Sequence, residues 1–427
     1  MRFLYTIGIC IYALGVRIAA LFGNEKARLW VKGRQALSLS KFKPVTELKT
    51  MGTVLRQAQE PNTDDWVWFH AASLGEFEQG RPVIEAWKKT YPEVKILLSF
   101  FSPSGYEVRK DYPLADEVLY LPIDTPHNAR AWVQSRHFIA AFFIKYDFWF
   151  NYMRALKQNR VPLFYISLIL NEKSFFFKPY GRWFRNQLWQ VRHFFVQDQL
   201  TGRLLQNYGF DNHTVCGDTR FDRVADIARQ AERFPVVEGF KQERLSIIAG
   251  STWPPDEKLL AHYLSLMPED YCLILAPHDI SESHIAQIKA LFPEAQRYTE
   301  YDASKQSKVL IVDTIGILSQ LYQYADFVYI GGGFGVNIHN IQEPVTFGCP
   351  VVFGPKYKSF KEAVDLVDKG GAFSVSSQEE LNQVFTRLIN DQQFHRNASE
   401  TCMSYLEEQL GATATIMKKL SQLLLGL

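Results

Sequence analysis

Five stretches of the 427-residue chain bring together residue types that could do chemistry. The first is His70-Ala71-Ala72-Ser73-Leu74-Gly75-Glu76, running off a β-type segment. Its small residues let backbone approach a ligand, and Glu76 stands where a helix should begin. A carboxylate there is either a general base, provided its surroundings raise its pKa toward working pH, or an acid favoured by the helix dipole. Spacing alone leaves both readings open. The second stretch is Ile330-Gly331-Gly332-Gly333-Phe334-Gly335, followed by His339-Asn340-Ile341-Gln342-Glu343-Pro344. A glycine-rich loop between strand and helix presents N–H groups to phosphate. It lacks the lysine and hydroxyl residue of a P-loop, and Glu343 could accept hydrogen bonds from a ribose.

The third stretch, residues 171–195, holds nine aromatic residues, five Lys/Arg and one acid. Such interleaving suits phosphorylated lipid headgroups or single-stranded nucleic acid; alternatively Trp183, Phe184 and Trp189 are core. We expect a mixture, with the apolar members partly buried and Lys173, Lys178, Arg182 and Arg185 exposed. The last two stretches, Gly217–Asp222 and Pro277-His278-Asp279, end strands. A lone histidine in such a place is more often structural than a ligand. No spacing suggests a required metal.

The elements that position these residues alternate strand and helix. Strands are expected at Trp66–His70, Lys95–Phe101, Glu117–Pro122, Phe138–Lys145, Pro162–Ser167, His193–Val196 and His213–Cys216. Others follow at Leu245–Ala249, Cys272–Ala276, Val309–Val312, Phe327–Ile330, Val351–Phe353 and Phe373–Val375. Helical spacing fills the gaps, as in Gly80–Thr90, Asn128–Gln134 and Gly181–Trp189. Alternation of this kind means parallel sheet and βαβ crossovers. The pattern pauses over the charged stretch Asp226–Gln242, which reads as a linker, and ends in helices from about Gln378 with a break near Gly411. Two Rossmann-like, doubly wound α/β domains facing a central cleft are the expected architecture, with ligands at the carboxyl ends of strands.

Residues 3–22 are the most apolar segment, with 16 apolar residues of 20, and span about 30 Å as a helix. Arg17 argues against an uninterrupted membrane crossing and against a signal peptide. A buried core helix is the alternative. Residues 1–60 carry ten Lys/Arg against three Glu, a net +7, whereas the whole chain is +2. A basic flank beside an apolar segment is the arrangement expected at an anionic membrane surface. The near-neutral total argues against a dedicated nucleic-acid binder. Five scattered cysteines read as free thiols in a reducing compartment.

Together these segments resemble the 3-deoxy-D-manno-octulosonic acid (Kdo) transferases. The order matches along nearly the whole chain: the apolar helix, His70–Glu76, Trp149, Gly217–Asp222, Gly250-Ser251-Thr252-Trp253, Pro277-His278, Asp313-Thr314-Ile315-Gly316, Gly331–Pro344 and Phe353-Gly354-Pro355. The resemblance implies a GT-B glycosyltransferase that moves Kdo, with inversion, from CMP-Kdo to the phosphorylated, acylated disaccharide precursor of lipid A (lipid IVA). No metal or other cofactor is implied. It implies catalysis by Glu76 as base with Asp147 and Arg220, and donor contacts at Pro277, His278, Ile315, Gly316, Ile317, Asn340, Ile341, Gln342 and Glu343. Acceptor contacts are implied at Ser73, Gly75, Lys145, Lys173 and Arg182. The expected location is the cytoplasmic face of the inner membrane. The expected domains are a membrane helix at 1–22, an acceptor domain at 23–228, a CMP-sugar domain at 229–405, and a C-terminal helix at 406–427 returning to the first domain.

Two departures stand out. The family's Glu-x-Glu before the tryptophan is Lys145-Tyr146-Asp147 here, and its Pro-Arg-His is Pro277-His278-Asp279. The second exchanges a permanent cation for a titratable one. They support a competing reading, a catalytically silent GT-B-like protein binding a nucleotide or lipid. A glycosyltransferase using another nucleotide sugar is a further alternative.

Overall fold

Apolar, branched and aromatic runs that are buried on both faces form the strands, as the alternation requires. The computed structural model describes residues 1–36 and 65–425 and divides into two units, Met1–Arg220 with Gly411–Leu427, and Phe221–Leu410. In the first unit, β1 (Asp65–Ala71), β2 (Lys95–Phe100), β3 (Glu117–Tyr120), β4 (His137–Ile144), β5 (Leu163–Leu168), β6 (His193–Val196) and β7 (His213–Val215) form one sheet. Its order is β3-β2-β1-β4-β5-β6-β7, parallel throughout. All eight residues of β4, HFIAAFFI, are buried, the continuous apolar run of a strand covered on both faces. Phe138, Ala141 and Phe143 join the core on one face with Trp68 and Trp132, while Ile139, Ala140, Phe142 and Ile144 join the core on the other with Trp87.

The second unit contains β8 (Leu245–Thr252), β9 (Tyr271–Pro277), β10 (Gln296–Arg297), β11 (Val309–Ile311), β12 (Phe327–Ile330), β13 (Val351–Phe353) and β14 (Ala372–Ser374). They run in the order β10-β11-β9-β8-β12-β13-β14, again all parallel. Every strand expected from the sequence is present within a few residues of its expected ends. The two-residue β10 is the addition, too short to leave a pattern. Asp226–Gln242 is not an open linker. Helices Thr219–Arg229 and Pro235–Lys241 occupy most of it, and Phe234, Val237 and Phe240 are buried in the second unit's core. Pro235 sits in the first turn, where its missing N–H costs nothing.

Helices α1 (Arg2–Leu21), α2 (Glu25–Ala36) and α3 (Leu74–Thr90) belong to the first unit. Against α3 lies the C-terminal helix Ala412–Leu425, which puts Ile416, Leu420 and Leu424, four apart, into the same core.

α1 is apolar on all sides yet docked along one of them. Tyr5 donates to Asp124 Oδ2 (2.6 Å), Arg2 Nε to Asn151 Oδ1 (3.1 Å), and Ala13 is buried. Phe3, Leu4, Ile7, Ile11, Leu14, Ile18 and Leu21 face outward and are exposed. The basic flank needs a correction. Arg34 is not a surface cation: it lies over Trp30 and Phe101 and donates to Leu121 O and Phe101 O. Lys26, Arg28 and Lys32 are exposed, while Lys41, Lys43, Lys49 and Arg56 lie outside the described residues.

Candidate active site

In a doubly wound sheet the first two crossovers leave on opposite sides at the point where strand order reverses, and a crevice opens at the carboxyl ends of those strands. In the first unit that point lies between β1 and β4. The chain leaving β1 passes Ala72 and turns into α3, with Ser73 as an extended N-cap. Glu76, in the first turn, reaches back so that its Oε2 accepts from the backbone N–H groups of Ala72 (2.6 Å) and Ser73 (3.2 Å). This is the carboxylate half of a capping box. The helix-capping reading of Glu76 is thus realised by one oxygen, while Oε1 has no hydrogen-bond partner among the described residues.

The chain leaving β4 turns sharply at Lys145, whose φ of +65° is left-handed and uncommon for a residue with a Cβ. The turn delivers Asp147 to the end of β1, where its Oδ2 lies 2.8 Å from His70 Nε2. Trp149 Nε1 approaches the same nitrogen at 3.0 Å. A third segment enters after β7, where Arg220 is held by Asp218 through Nε (2.9 Å) and a terminal nitrogen (2.6 Å).

Electrostatics ties these groups together. Burial, then the negative charge of Asp147, pushes the Glu76 carboxyl up to about 7, against the opposing pull of the Ala72 and Ser73 amides and of Lys145. The Tyr146 phenol is raised by burial and by Glu76, with Arg220 opposing. Glu76, Lys145, Tyr146, Asp147 and Arg220 thus form one charged group. Ser73 and Gly75 border it on α3. Lys173 and Arg182 are exposed on the aromatic segment, and among the described residues no ion pair or side-chain hydrogen bond ties them to Glu76.

The second unit repeats the arrangement with different side chains. Its reversal lies between β8 and β12. Ser251 adopts φ +53° near the end of β8, and the glycine loop after β12 comes so close that a Cβ on Gly331 would stand 2.3 Å from Ser251 O. Only glycine fits there. Buried Asp256 organises both turns, accepting from Gly332 N (2.9 Å), Trp253 N (2.9 Å) and Tyr329 OH (2.8 Å). Beside them Trp253, His278 and His339 stack, with ring centroids 4.5 Å and 4.6 Å apart. Burial, then the neighbouring His278, pulls the His339 pKa down.

An open cavity of about 280 Å³ is lined by Ser251, Gly316, Ser319, Tyr322, His339, Asn340 and Glu343. Asn340 Nδ2 holds Glu343 Oε1 at 3.1 Å, while burial raises the Glu343 pKa. Of the expected donor residues, Gly316, Asn340 and Glu343 line this cavity, and Ile315 is 82% exposed nearby in sequence. The side chains of Ile341 and Gln342 instead turn inward, Gln342 onto Glu362. His339, Ser251, Ser319 and Tyr322 escaped the sequence reading. The first two lay inside quoted motifs, whereas nothing in the spacing marks Ser319 or Tyr322. Among the described residues no group of three or more His, Cys, Asp or Glu could hold a metal.

Residues 47–223 match the family model described as 3-deoxy-D-manno-octulosonic-acid transferase (kdotransferase). The chain is 26% identical over 359 residues to the 3-deoxy-D-manno-octulosonic acid transferase of Chlamydia trachomatis serovar A, covering 80% of this chain and 82% of that one. The enzyme of the same name from Aquifex aeolicus is 26% identical over 331 residues, 76% of this chain and 86% of its own. Among solved structures, the UDP-GlcNAc 2-epimerase of Neisseria meningitidis superposes with TM-score 0.58 at 14% identity, covering 84% of this chain and 100% of that one, a likeness of fold.

Proposed function

We propose that this chain, a member of the Kdo transferase family, transfers Kdo from CMP-Kdo to the phosphorylated, acylated disaccharide precursor of lipid A, with inversion. The chain is a glycosyltransferase. The observation that carries the finer reading is Glu76: a carboxylate at the β1–β4 reversal, raised to about 7, with one oxygen fixed by two amides and the other without a hydrogen-bond partner among the described residues. Such a group is matched to take a proton near neutrality. In the reaction an acceptor hydroxyl gives its proton to Glu76 Oε1 as its oxygen bonds the anomeric carbon of Kdo. The bond from that carbon to the phosphate oxygen breaks, and CMP leaves with the electron pair. A single displacement inverts the centre.

Asp147 adds to the burial that raises the proton affinity of Glu76, and Arg220 presents a guanidinium oriented by Asp218. Lys145, Lys173 and Arg182, with Ser73 and Gly75, receive the anionic acceptor. The histidine stack, the glycine loop and the Asn340–Glu343 pair receive CMP through ring contact, N–H donors and ribose hydrogen bonds. Lys145, where the family carries a carboxylate, lowers the Glu76 pKa and leaves the base in place, which weighs against the silent-protein reading. Incubation with CMP-Kdo and the lipid A precursor should release CMP and add the mass of Kdo to the precursor. No release, or release only with another nucleotide sugar, overturns the reading.

The outward apolar face of α1 seats the enzyme on the inner membrane, its cytoplasmic face, through lipid contact and the exposed cations Lys26, Arg28 and Lys32. Because Tyr5 and Arg2 satisfy Asp124 and Asn151, deleting the helix would damage the unit as well as the anchor. Serine at Phe3, Ile7, Ile11 and Ile18 is the cleaner test. The variant should leave the membrane fraction yet still glycosylate short soluble acceptors; a variant that stays in the membrane fraction refutes the anchoring role.

A further inference from the structure

We propose that the cavity enclosed by α1, α2 and the segment after β3 binds the phosphate of a membrane phospholipid, held by Arg17 and Arg34. The inference deepens the membrane seating proposed for α1: it adds a defined lipid site to a surface that otherwise holds lipid by apolar contact and diffuse charge.

The local sequence builds the cavity. Gly23, at φ +92°, lets the chain reverse after α1, and Arg28 Nε donates to Ala20 O (3.1 Å), so that α2 returns toward α1. Gly33 lies so close to the Tyr120 ring that a Cβ would stand 2.1 Å from it. This approach carries Arg34 over the rings of Trp30, Phe101 and Tyr120, its guanidinium carbon 3.9, 4.6 and 5.2 Å from their centroids. The cavity has a volume of about 340 Å³, and Arg17, Trp30, Arg34, Pro122 and Asn128 are among its lining residues.

Its charge is all of one sign. Arg34 Nε donates to Leu121 O (2.9 Å), and its terminal nitrogens to Trp30 O (3.3 Å) and Phe101 O (2.8 Å). A guanidinium has more N–H bonds than these carbonyls take, and the rest have no acceptor among the described residues. Burial pulls the Arg34 pKa down, and the groups that oppose it are the phenols of Tyr152, Tyr120 and Tyr12 rather than a carboxylate. Arg17 has neither an ion pair nor a side-chain hydrogen bond among the described residues. The indole N–H of Trp30, a residue only 5% exposed, has no acceptor among them either. No Asp or Glu of the described residues lines the cavity. Buried charges are normally paired, and two like charges beside one cavity repel each other unless an anion lies between them. The cavity therefore selects an anion, and guanidinium donors approaching from two helices suit the several oxygens of a phosphate.

What carries the phosphate follows from the surroundings. Arg17 shares its helix face with Leu14 and Leu21, three before and four after it; both are exposed, as is Ile18. Acyl chains lie along such a stripe while an arginine within it reaches to the headgroup level. The site is also set apart from the β1–β4 reversal. Phe101, under Arg34, packs on Trp149 with ring centroids 4.6 Å apart, and Trp149 packs in turn on His70. A phospholipid of the bilayer, rather than the acceptor whose hydroxyl must reach Glu76, is the occupant.

The test is native mass spectrometry of the full chain in dodecyl maltoside, a detergent without phosphate, titrated with phosphatidylglycerol. The wild type should retain a single phosphatidylglycerol, and Arg17→Gln should weaken that binding about tenfold or more. Lys32→Gln removes the same charge from the exposed side of α2 and should weaken it by less than about fivefold. Arg34→Lys keeps the charge and loses the fork; it should also weaken binding, with its melting temperature recorded to separate lost binding from lost fold. Equal losses in Arg17→Gln and Lys32→Gln overturn the site in favour of diffuse surface charge. Displacement of the lipid by oleate at equal charge overturns the need for phosphate, and displacement by inorganic phosphate overturns the need for a lipid. Displacement by an equimolar amount of the lipid A precursor would make this an acceptor site and overturn the assignment to phospholipid. Binding is read without CMP-Kdo and without a bilayer, so a failure of Kdo transfer or of membrane seating by α1 leaves this result standing.

Discussion

The two strand-order reversals of this chain share a backbone plan and differ in what stands on it. Between β1 and β4 the turns carry carboxylates, a lysine and a clamped arginine. Between β8 and β12 they carry glycines and two held carboxylates, Asp256 and Glu343, beside a Trp–His–His stack. Each site contains a glutamate whose pKa burial raises. At Glu76 a second carboxylate adds to the effect, whereas at Glu343 the Asn340 amide and the charge of Arg223 oppose it. Under the proposed function the first environment moves a proton and the second accepts hydrogen bonds, so that one fold feature used twice would divide the chemistry from the recognition.

The largest expected effect tests the first half of that division. Glu76→Gln keeps the capping acceptor but cannot take a proton, so single-turnover transfer should fall by about 10²–10⁴-fold. CMP-Kdo affinity should change little. Comparable losses in both quantities would mean that Glu76 serves binding. The pH profile of the wild type should rise through about 7 as Glu76 ionises.

The next effect belongs to the second unit. Gly331→Val drives a side chain into the backbone at Ser251, and overpacking of this kind costs about 1–3 kcal/mol. CMP binding by calorimetry should weaken about tenfold or more, while the pH midpoint of single-turnover transfer at saturating CMP-Kdo, set by Glu76, stays where it was. Movement of both would mean that the two sites are not separable.

A smaller effect tests the residue at position 278. His278→Arg places a permanent guanidinium there and should bind CMP about threefold to tenfold more tightly. An unchanged affinity would exclude His278 from the phosphate.

How much of this was legible beforehand follows from the range of the interactions. The strands were readable because a parallel strand buried on both faces is a continuous apolar run, as HFIAAFFI shows. Glu76, Gly331 and Glu343 were readable because each sits in a local motif. The approach of Asp147 to His70 was not, because only the β1–β4 pairing brings residues 77 positions apart to one edge. The helices inside Asp226–Gln242 were hidden by charge on a short segment whose buried members, Val237 and Phe240, are three apart. Arg34 counted as a surface cation until the aromatic ring of Phe101 and two carbonyls were placed around it. Local spacing reports elements and caps; it carries little about contacts made through sheet order.

The smallest effect is one of stability. The folded chain holds the Glu76 proton more tightly than an unfolded chain, whose glutamate keeps its ordinary value near 4.5. A raised carboxyl contributes stability that is complete below the unfolded value and is lost as pH rises through the folded one. Between about pH 5 and 8 the wild type should therefore lose roughly 1–3 kcal/mol that Glu76→Gln, which does not titrate, keeps. The difference in melting temperature between variant and wild type should grow in the variant's favour over that range. Glu343→Gln should show the same sign, because burial raises that carboxyl as well. A stability difference for Glu76→Gln that stays flat over that range would show that Glu76 is not a raised carboxyl, and its assignment to proton transfer near neutrality would lose its electrostatic basis.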